Sequence, residues 1–259
     1  MSLGRWSVPV VGRTAHGPGV VELEVEAPAL AASIRPGQFV MLFPETPGAP
    51  YLGRPMSYFR RSEETLSVLF RVVGAGTRHL AALVRGDRLS ALGPLGQPFP
   101  DPEPGEVCLV GGGVGVPPLY DWARTLREQG HGVTVLLGAR SADQLLGEAA
   151  FSPIAAQLLV ATDDGSRGHH GPVTSLLPAS TATVYACGPS AMLKAVQEWA
   201  RGRAAPAYLT LEARMACGFG ACLGCTVAAA NPDPAKGDYG RYVRVCTDGP
   251  TFAAGAVLL

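Results

Sequence analysis

The sequence has little charge and no excess of either sign. Charged residues make up 16% of the 259 residues, and 21 Lys and Arg balance 21 Asp and Glu. Proteins that bind nucleic acid usually carry a basic face, so this balance argues against that class. No apolar run reaches the ~20 residues that a membrane-spanning helix needs. With 47% hydrophobic residues, the chain is predicted to be globular, with about two domains.

The beginning of the chain also lacks a secretory signal. Met1 to Trp6 show neither the basic nor the apolar region of a signal peptide, so a cytoplasmic location is expected. The cytoplasm keeps thiols reduced, which disfavours disulfides. The six cysteines are therefore expected to be metal ligands or core residues.

Four of those cysteines lie near the C-terminal end of the chain. Cys217, Cys222 and Cys225 form a C-x4-C-x2-C pattern, and Cys246 follows. This is the plant-type spacing for a [2Fe–2S] cluster. The glycines between the first three cysteines tolerate the positive φ angles that a loop curling around metal needs. Backbone N–H groups of such a loop can also point at the sulfur atoms. The pattern predicts that these four cysteines bind a [2Fe–2S] cluster that carries single electrons.

Two other uses of the four cysteines remain open at this stage: a structural zinc site and a sensor. A structural zinc site also takes four cysteines but favours paired C-x2-C knuckles, and only one such pair is present. A zinc-stabilised binding module that is not an enzyme is the corresponding alternative function. Cys108 lies in an apolar run and is interpreted as a core residue.

The first part of the chain predicts a small β-barrel. Short apolar runs separated by Gly and Pro are typical of such barrels. The predicted strands are Val20–Val25, Gln38–Phe43 and Leu66–Val73, and a short helix is predicted over Thr77–Val84.

After a linker at Asp101–Gly105 the pattern changes to alternating strands and helices. Such alternation predicts a parallel sheet with both faces covered. The predicted strands are Val107–Val110, Val133–Leu137, Gln157–Thr162, Thr183–Ala186 and Tyr208–Leu211. The predicted helices cover Pro117–Gln129 and Pro189–Arg201, and a further helix is predicted to begin at Ser141 with a capping box.

Two glycine-containing turns follow strands of this sheet. Gly111 to Gly115 read Gly-Gly-Gly-Val-Gly and open a helix, where free N–H groups and the helix dipole favour a phosphate. This is not the strict G-x-G-x-x-G fingerprint, and a plain turn is the alternative. Cys187-Gly188-Pro189 ends a later strand, so both turns should lie at the same edge of the sheet. Cys187 is either beside a nicotinamide or a small buried residue.

The predicted barrel carries two further candidate motifs. In Arg54-Pro55-Met56-Ser57-Tyr58, the arginine can pair with a phosphate and the Ser57 hydroxyl with a ring nitrogen or carbonyl. Leu69-Phe70-Arg71 and Gly76-Thr77 form the second set, with the glycine at a predicted helix start. A surface arginine beside a proline often has no functional role, so each of these motifs is weak evidence by itself, and only their combination is informative.

In order and spacing, the motifs resemble one family: the electron-transfer subunit of class 1B dihydroorotate dehydrogenase (PyrK), within the ferredoxin–NADP reductase superfamily. The resemblance implies a multidomain α+β fold. It has an antiparallel FAD-binding β-barrel over residues 1–102, an α/β parallel-sheet NAD-binding domain over 103–211, and a [2Fe–2S] segment over 212–259.

The resemblance also implies roles for individual residues. FAD would be contacted by Arg54, Pro55, Met56, Ser57, Leu69, Phe70, Arg71, Gly76 and Thr77. The nicotinamide nucleotide, NAD(H), would be faced by Gly111, Gly112, Gly113, Val114, Gly115, Cys187, Gly188 and Pro189. Irons would be bound by Cys217, Cys222, Cys225 and Cys246. Hydride transfer needs no acid–base residue, so no catalytic residue is assigned. Tyr58 departs from the family, which usually has an aliphatic residue there, and this leaves the packing at the flavin open.

By the same resemblance, the partner is an FMN-containing catalytic subunit that interconverts dihydroorotate and orotate in pyrimidine (UMP) synthesis. A heterotetramer of two copies of each chain is expected. The rival interpretation is a related flavin and [2Fe–2S] subunit of a hydrogenase, sulfite reductase or ferredoxin–NADP reductase complex. NADH and NADPH both stay open: Arg140 and Ser141 could meet a 2′-phosphate or could be an exposed arginine and a helix cap.

Overall fold

The computed structural model describes residues 3–45, 47–179 and 183–259, and the first strands close into a six-stranded antiparallel barrel. Met1 and Ser2 belong to the Met1–Trp6 stretch in which no signal-peptide pattern is found, and they lie outside the described residues. The order around the barrel is β1-β2-β5-β4-β3-β6. The elements are β1 Gly4–Ala15, β2 Val20–Glu26, α1 Pro28–Ser33, β3 Phe39–Pro44, β4 Arg54–Arg61, β5 Thr65–Arg71, α2 Ala75–Ala82 and β6 Arg88–Leu95.

Alternating apolar residues fill the barrel. On β2, Val21, Leu23 and Val25 are buried in one core cluster because successive side chains point to opposite faces. A closed barrel also leaves no strand edge unpaired. The predicted barrel is thus confirmed. The sequence missed β1, β4 and β6; β4 opens with Arg-Pro, and a proline lowers the strand preference of its neighbourhood.

The second part forms a seven-stranded sheet in the order β10-β9-β8-β7-β11-β12-β15. All its pairings are parallel except that of β12 with β15. Its sequence-contiguous elements are β7 Val107–Gly112, α3 Pro117–Glu128, β8 Val133–Ala139, α4 Glu148–Phe151, β9 Gln157–Thr162, β10 His169–His170, β11 Thr183–Cys187, α5 Ser190–Arg203 and β12 Ala207–Thr210. Every residue of the central strand β7 is buried, as expected for a strand covered on both faces.

One predicted helix is wrong. Ser141 precedes a single 3-10 turn, Ala142–Gln144, and its hydroxyl donates to Asp143 rather than to a helix N–H group. The following helix, α4, begins only at Glu148, after Gly147 adopts a left-handed φ of 88°. The helix that the capping-box pattern indicates ends even earlier, because Leu145, directly after the 3-10 turn, is extended, with φ −72° and ψ 128°.

The cysteine-containing segment is built from short pieces. β13 Thr226–Ala228 pairs with β14 Tyr242–Arg244, and a kinked 3-10 helix, Pro234–Arg241, connects them. β15 Thr251–Ala253 instead extends the large sheet beside β12. The segment therefore shares a core with the sheet, while the boundaries at 102/103 and 211/212 stay predictions. No helix among the described residues has the length and apolar character to cross a membrane.

Candidate functional site

Two of the predicted flavin motifs meet at the start of α2. Arg54 opens β4, and its guanidinium lies over Gly76 so closely that a Cβ there would overlap it. Only glycine permits this approach. The guanidinium Nη1 also donates to the Gly53 carbonyl at 2.9 Å. A fixed arginine beside free N–H groups of a helix N-terminus suits a phosphate group.

Thr77 organises the first turn of α2 through its hydroxyl. Its Oγ1 accepts hydrogen bonds from the N–H groups of Val73 at 2.9 Å and Gly74 at 3.1 Å. The same hydroxyl donates to the Gly74 carbonyl at 3.1 Å. Because the hydroxyl is engaged within the chain, Thr77 offers a ligand mainly its backbone.

The other predicted flavin residues lie on neighbouring strands. Pro55, Met56 and Ser57 are half-buried on β4, whereas Leu69 and Phe70 are buried on β5. Arg71 ends β5 and lines a cleft of about 300 Å³ between the barrel and the parallel sheet. The other lining residues are Pro18, Val20, Arg140, Asp143, Gln144 and Leu146. Two arginines from different parts of the chain therefore face one cleft.

The two glycine turns lie against each other at the carboxyl edge of the sheet, as predicted. Gly111 pairs with Cys187 across β7 and β11. A Cβ at Gly115 would overlap the Cys187 carbonyl, and one at Gly112 would lie 2.8 Å from Pro189 Cδ. Both turns therefore need glycine for close approach. Together they form a backbone-lined surface where a dinucleotide can bind.

The Cys187 thiol lies inside this surface. Burial, and then the carboxylate of Glu212, raise the pKa of Cys187, so the thiol is neutral at physiological pH. Glu212 follows β12 and was not selected from the sequence. An isolated Glu after an apolar strand has no motif around it, and only the sheet order brings it towards Cys187.

The cysteine loop, residues 217–225, changes direction at three residues with a left-handed backbone conformation. Gly218 has φ 81°, Gly220 has φ 89°, and Leu223, which is not glycine, has φ 57°. The backbone N–H of Cys222 donates to Cys217 Sγ at 3.4 Å. Although burial opposes it, N–H donation from Cys222 and Phe219 lowers the pKa of Cys217 to about 7. Such donation to sulfur suits a thiolate ligand.

The fourth cysteine completes a second pair. The backbone N–H of Cys246 donates to Cys225 Sγ at 3.4 Å, and both thiols are buried. Burial, and then the Cys225 thiol, raise the pKa of Cys246 to about 12, with Cys217 adding to the shift. In residues 3–45, 47–179 and 183–259, no three Cys, His, Asp or Glu side chains are already arranged as a metal site. The quartet lies as two pairs, Cys217 with Cys222 and Cys225 with Cys246, and four thiols are the donor set that a [2Fe–2S] cluster uses.

The cysteine loop rests directly on the barrel. A Cβ at Gly218 would lie 2.6 Å from Met41 Cγ and 3.2 Å from Leu95 Cδ1. Met41 pairs across β3 and β4 with Pro55, which belongs to the predicted flavin motif. On the far side of the loop, the Gln97 amide donates to the Thr247 carbonyl at 2.9 Å. The cysteine loop is therefore one strand away from the Arg54–Ser57 motif.

The barrel, the parallel sheet and the cysteine segment together define a protein of the ferredoxin–NADP reductase type with an added iron–sulfur segment. A chain in the structure of NADH-dependent reduced ferredoxin–NADP oxidoreductase is similar, with 30% identity and a TM-score of 0.84 over 97% of this chain and 89% of that one. The FAD/NAD-binding domain of nitric oxide dioxygenase from Vibrio cholerae shares the fold, with 19% identity and a TM-score of 0.64 over 76% and 93% of the two chains.

Comparison of sequences narrows this class to one family. Residues 212–258 match the family model of the iron–sulfur cluster binding domain of dihydroorotate dehydrogenase B. The electron transfer subunit of dihydroorotate dehydrogenase B (NAD(+)) from Geobacillus thermodenitrificans is 39% identical over 99% of this chain and 100% of its own length. The chain belongs to the family of dihydroorotate dehydrogenase B electron-transfer subunits.

Proposed function

We propose that this chain passes electrons between NAD(H) and an FMN-containing dihydroorotate dehydrogenase subunit through FAD and a [2Fe–2S] cluster, in UMP synthesis. One observation carries the proposal: the cysteine loop packs on Met41, the cross-strand partner of Pro55. Electron carriers bound at the two motifs would lie side by side. The full-length likeness to the Geobacillus thermodenitrificans subunit supports the same assignment.

The barrel side of the site would hold FAD, which accepts two electrons as a hydride and releases them singly. Arg54 and the N–H groups at the start of α2 would bind a phosphate of FAD. The Ser57 hydroxyl would donate a hydrogen bond to the flavin ring system or accept one from it. Pro55, Met56, Leu69 and Phe70 would supply apolar contact. Arg71 would bind the adenosine half of a nucleotide from the cleft that it lines.

The sheet side of the site would hold NAD(H). Gly111–Gly115 and Gly188 would let the dinucleotide approach the backbone, and Pro189 and Cys187 would border the nicotinamide. The relative from Geobacillus thermodenitrificans is named for NAD(+), which favours NADH over NADPH for this chain.

The partner would dock over the cysteine loop. Cys222 is exposed, and Phe219 and Leu223 beside it are 49% and 45% exposed. Exposed apolar side chains around a redox ligand suit a surface that a second subunit covers. The assembly would contain two copies of each chain and would remain in the cytoplasm.

The decisive experiment is the visible spectrum of anaerobically purified full-length chain, with iron, sulfide and flavin counts. Cys222→Ser should lose the cluster absorbance yet keep its flavin and its NADH-dependent reduction of an artificial dye. If dye reduction vanished in a folded, flavin-loaded variant, the cluster would have to act before the dye, contrary to the proposed order. A colourless wild-type protein that binds zinc would support the binding-module alternative.

A second candidate is a subunit of a ferredoxin–NADP oxidoreductase complex, because that structure aligns with nearly the whole chain. Reconstitution separates the two functions. Adding an FMN-containing dihydroorotate dehydrogenase subunit should give NADH-dependent reduction of orotate. Reduction of ferredoxin without any transfer to that subunit would favour the second candidate.

A further inference from the structure

Tyr58, the residue after the proposed flavin motif, forms a buried bond to the neighbouring domain. Its side chain is 1% exposed, and its hydroxyl donates to Asp121 Oδ2 at 2.7 Å. Asp121 lies on α3 and is itself 3% exposed. Burial, and then the Asp121 carboxylate, raise the pKa of Tyr58, so its hydroxyl remains a proton donor across the physiological range.

Two arginines complete the arrangement around Asp121. Arg61 Nη2 lies 3.3 Å from Oδ2, and Arg124 Nη1 lies 3.7 Å from Oδ1. Arg61 also donates to the Ile34 carbonyl at 3.0 Å. A buried carboxylate is costly unless it is paired and hydrogen-bonded, and Asp121 has both kinds of partner. We call Tyr58, Arg61, Asp121 and Arg124 the interdomain network.

The network joins the two elements that carry the proposed cofactor sites. β4 holds Arg54–Ser57, immediately before Tyr58. α3 starts at Pro117, immediately after the Gly111–Gly115 turn, and packs directly on β4. The Tyr58–Asp121 hydrogen bond therefore connects the strand that carries the proposed flavin motif to the helix that follows the nucleotide turn, beside the Arg61–Asp121 ion pair and the hydrogen bond from Arg124 to the Arg61 carbonyl.

We propose that Tyr58 and Asp121 are positioning residues that fix β4 relative to α3 and thereby set the distance and angle between nicotinamide and flavin. The inference rests on the proposed function. Hydride transfer depends steeply on geometry, because a displacement of an ångström slows a positioned reaction by orders of magnitude. Neither residue touches the reacting atoms; both act through the elements that they join.

Tyr58→Phe tests the proposal in the full-length chain loaded with FAD and cluster. The variant keeps the ring, and Asp121 keeps both arginines, so the fold should survive. Flavin reduction by NADH, followed anaerobically in a single turnover, should slow by about tenfold, with little change in the NADH concentration for half-maximal rate. The long-wavelength absorbance of the nicotinamide–flavin complex should fall in parallel. Flavin and iron contents should stay at wild-type values.

Tyr185→Phe is the matched control. Tyr185 is also buried, and its hydroxyl donates to the Pro100 carbonyl at 2.7 Å, a bond that does not connect β4 with α3. A purely structural role for Tyr58 predicts the same behaviour of both variants. The positioning role predicts slow hydride transfer in Tyr58→Phe alone, and wild-type rate and absorbance in Tyr58→Phe would overturn it.

Amide hydrogen exchange without nucleotide separates this proposal from the proposed function. Faster exchange in both β4 and the first turns of α3, in Tyr58→Phe but not in Tyr185→Phe, supports the connection even if NADH fails to reduce the wild-type flavin. Unchanged exchange in both elements overturns it. Failure of NADH to reduce the wild-type protein counts against the nucleotide site instead.

Discussion

β4, which carries the proposed flavin motif, and the cysteine segment, residues 212–259, lie close together, yet they are built in opposite ways. β4 has eight residues and pairs with β3 on one side and β5 on the other within a closed barrel. The strands of the cysteine segment, β13, β14 and β15, have three residues each, and the kinked 3-10 helix Pro234–Arg241 lies between the first two. One region belongs to a closed sheet, although the register of β4 against β5 shifts between Tyr58 and Arg61, and the other contains little regular structure.

The difference indicates which interactions stabilise each region in its folded structure. A closed barrel with its own core keeps its shape without a ligand. Short strands around buried thiols gain much of their stability when metal binds, because ligation is coupled to folding. We therefore expect loss of flavin to leave β4 in place and loss of iron to loosen residues 212–259. The predictions below test this contrast, beginning with the largest effect.

Cys246→Ala should abolish the cluster and loosen the segment. Cys246 is buried beside Cys225, and the variant removes the Cys246 thiol, a proposed iron ligand, while it keeps the backbone N–H that donates to Cys225 Sγ. Iron content should fall to near zero, and electron transfer to the partner should fall by at least about a hundredfold, while FAD stays bound. Iron and sulfide assays with the visible spectrum measure this.

Cys108→Ala is the control for that variant. Cys108 is equally buried but lies on β7, away from the quartet. It should keep full iron content despite a modest loss of stability. Iron retained in Cys246→Ala, or lost in Cys108→Ala, would contradict the assignment of the quartet.

Gly218→Ala should separate the cysteine loop from the barrel. A side chain there meets two obstacles, a φ of 81° and Met41 Cγ at 2.6 Å. Left-handed strain and overpacking together should cost about 2 to 4 kcal/mol in the free energy of unfolding. Denaturant unfolding measures this cost, and slower reduction of the cluster by the flavin should accompany it.

A glycine elsewhere provides the comparison. Gly202 lies exposed on α5 with no atom within 4 Å of an added Cβ, so Gly202→Ala should stabilise the protein by about 0.5 to 1 kcal/mol. Equal stability of Gly218→Ala and wild type would show that the loop is not seated on β3.

Arg54→Ala should weaken FAD binding without unfolding the barrel. The variant removes a charge-assisted contact to a phosphate, worth about 1.5 to 3 kcal/mol. Titration of FAD into flavin-free protein, followed by fluorescence, measures the loss. Arg78→Ala, which removes an exposed arginine from α2, should leave the affinity unchanged. Unaltered affinity in Arg54→Ala would remove that residue from the site.

The sequence predicted the features that depend on local spacing. The first three cysteines of the quartet lie within nine residues and each glycine turn within five, and the placement of the two turns at one sheet edge follows from parallel topology alone. The predicted strand over 157–162 coincides with β9. At Ser141 the local pattern was wrong, because the extended Leu145 ends the turn after Gln144 and the left-handed Gly147 follows before α4 begins.

Features assembled across the barrel could not be predicted in the same way. The contact of Arg54 with Gly76 requires the order of strands that brings β4 beside α2. The bond between Tyr58 and Asp121 joins residues 63 positions apart in different domains. Neither residue type nor spacing reveals such a partner, although the departure at Tyr58 marked the position as unusual.

Thr77→Val should have the smallest effect. It distinguishes a role of the Thr77 hydroxyl in the stability of the barrel from a role in binding FAD. The hydroxyl accepts from the N–H groups of Val73 and Gly74, so its loss should cost about 1 kcal/mol in the free energy of unfolding. Thr77→Ser keeps the hydroxyl and should recover most of that loss. Because these bonds lie within the chain, FAD affinity should change much less than in Arg54→Ala. If Thr77→Val lost FAD as strongly as Arg54→Ala did, the hydroxyl would contact the cofactor directly, and the barrel would depend on its ligand much as the cysteine segment depends on iron.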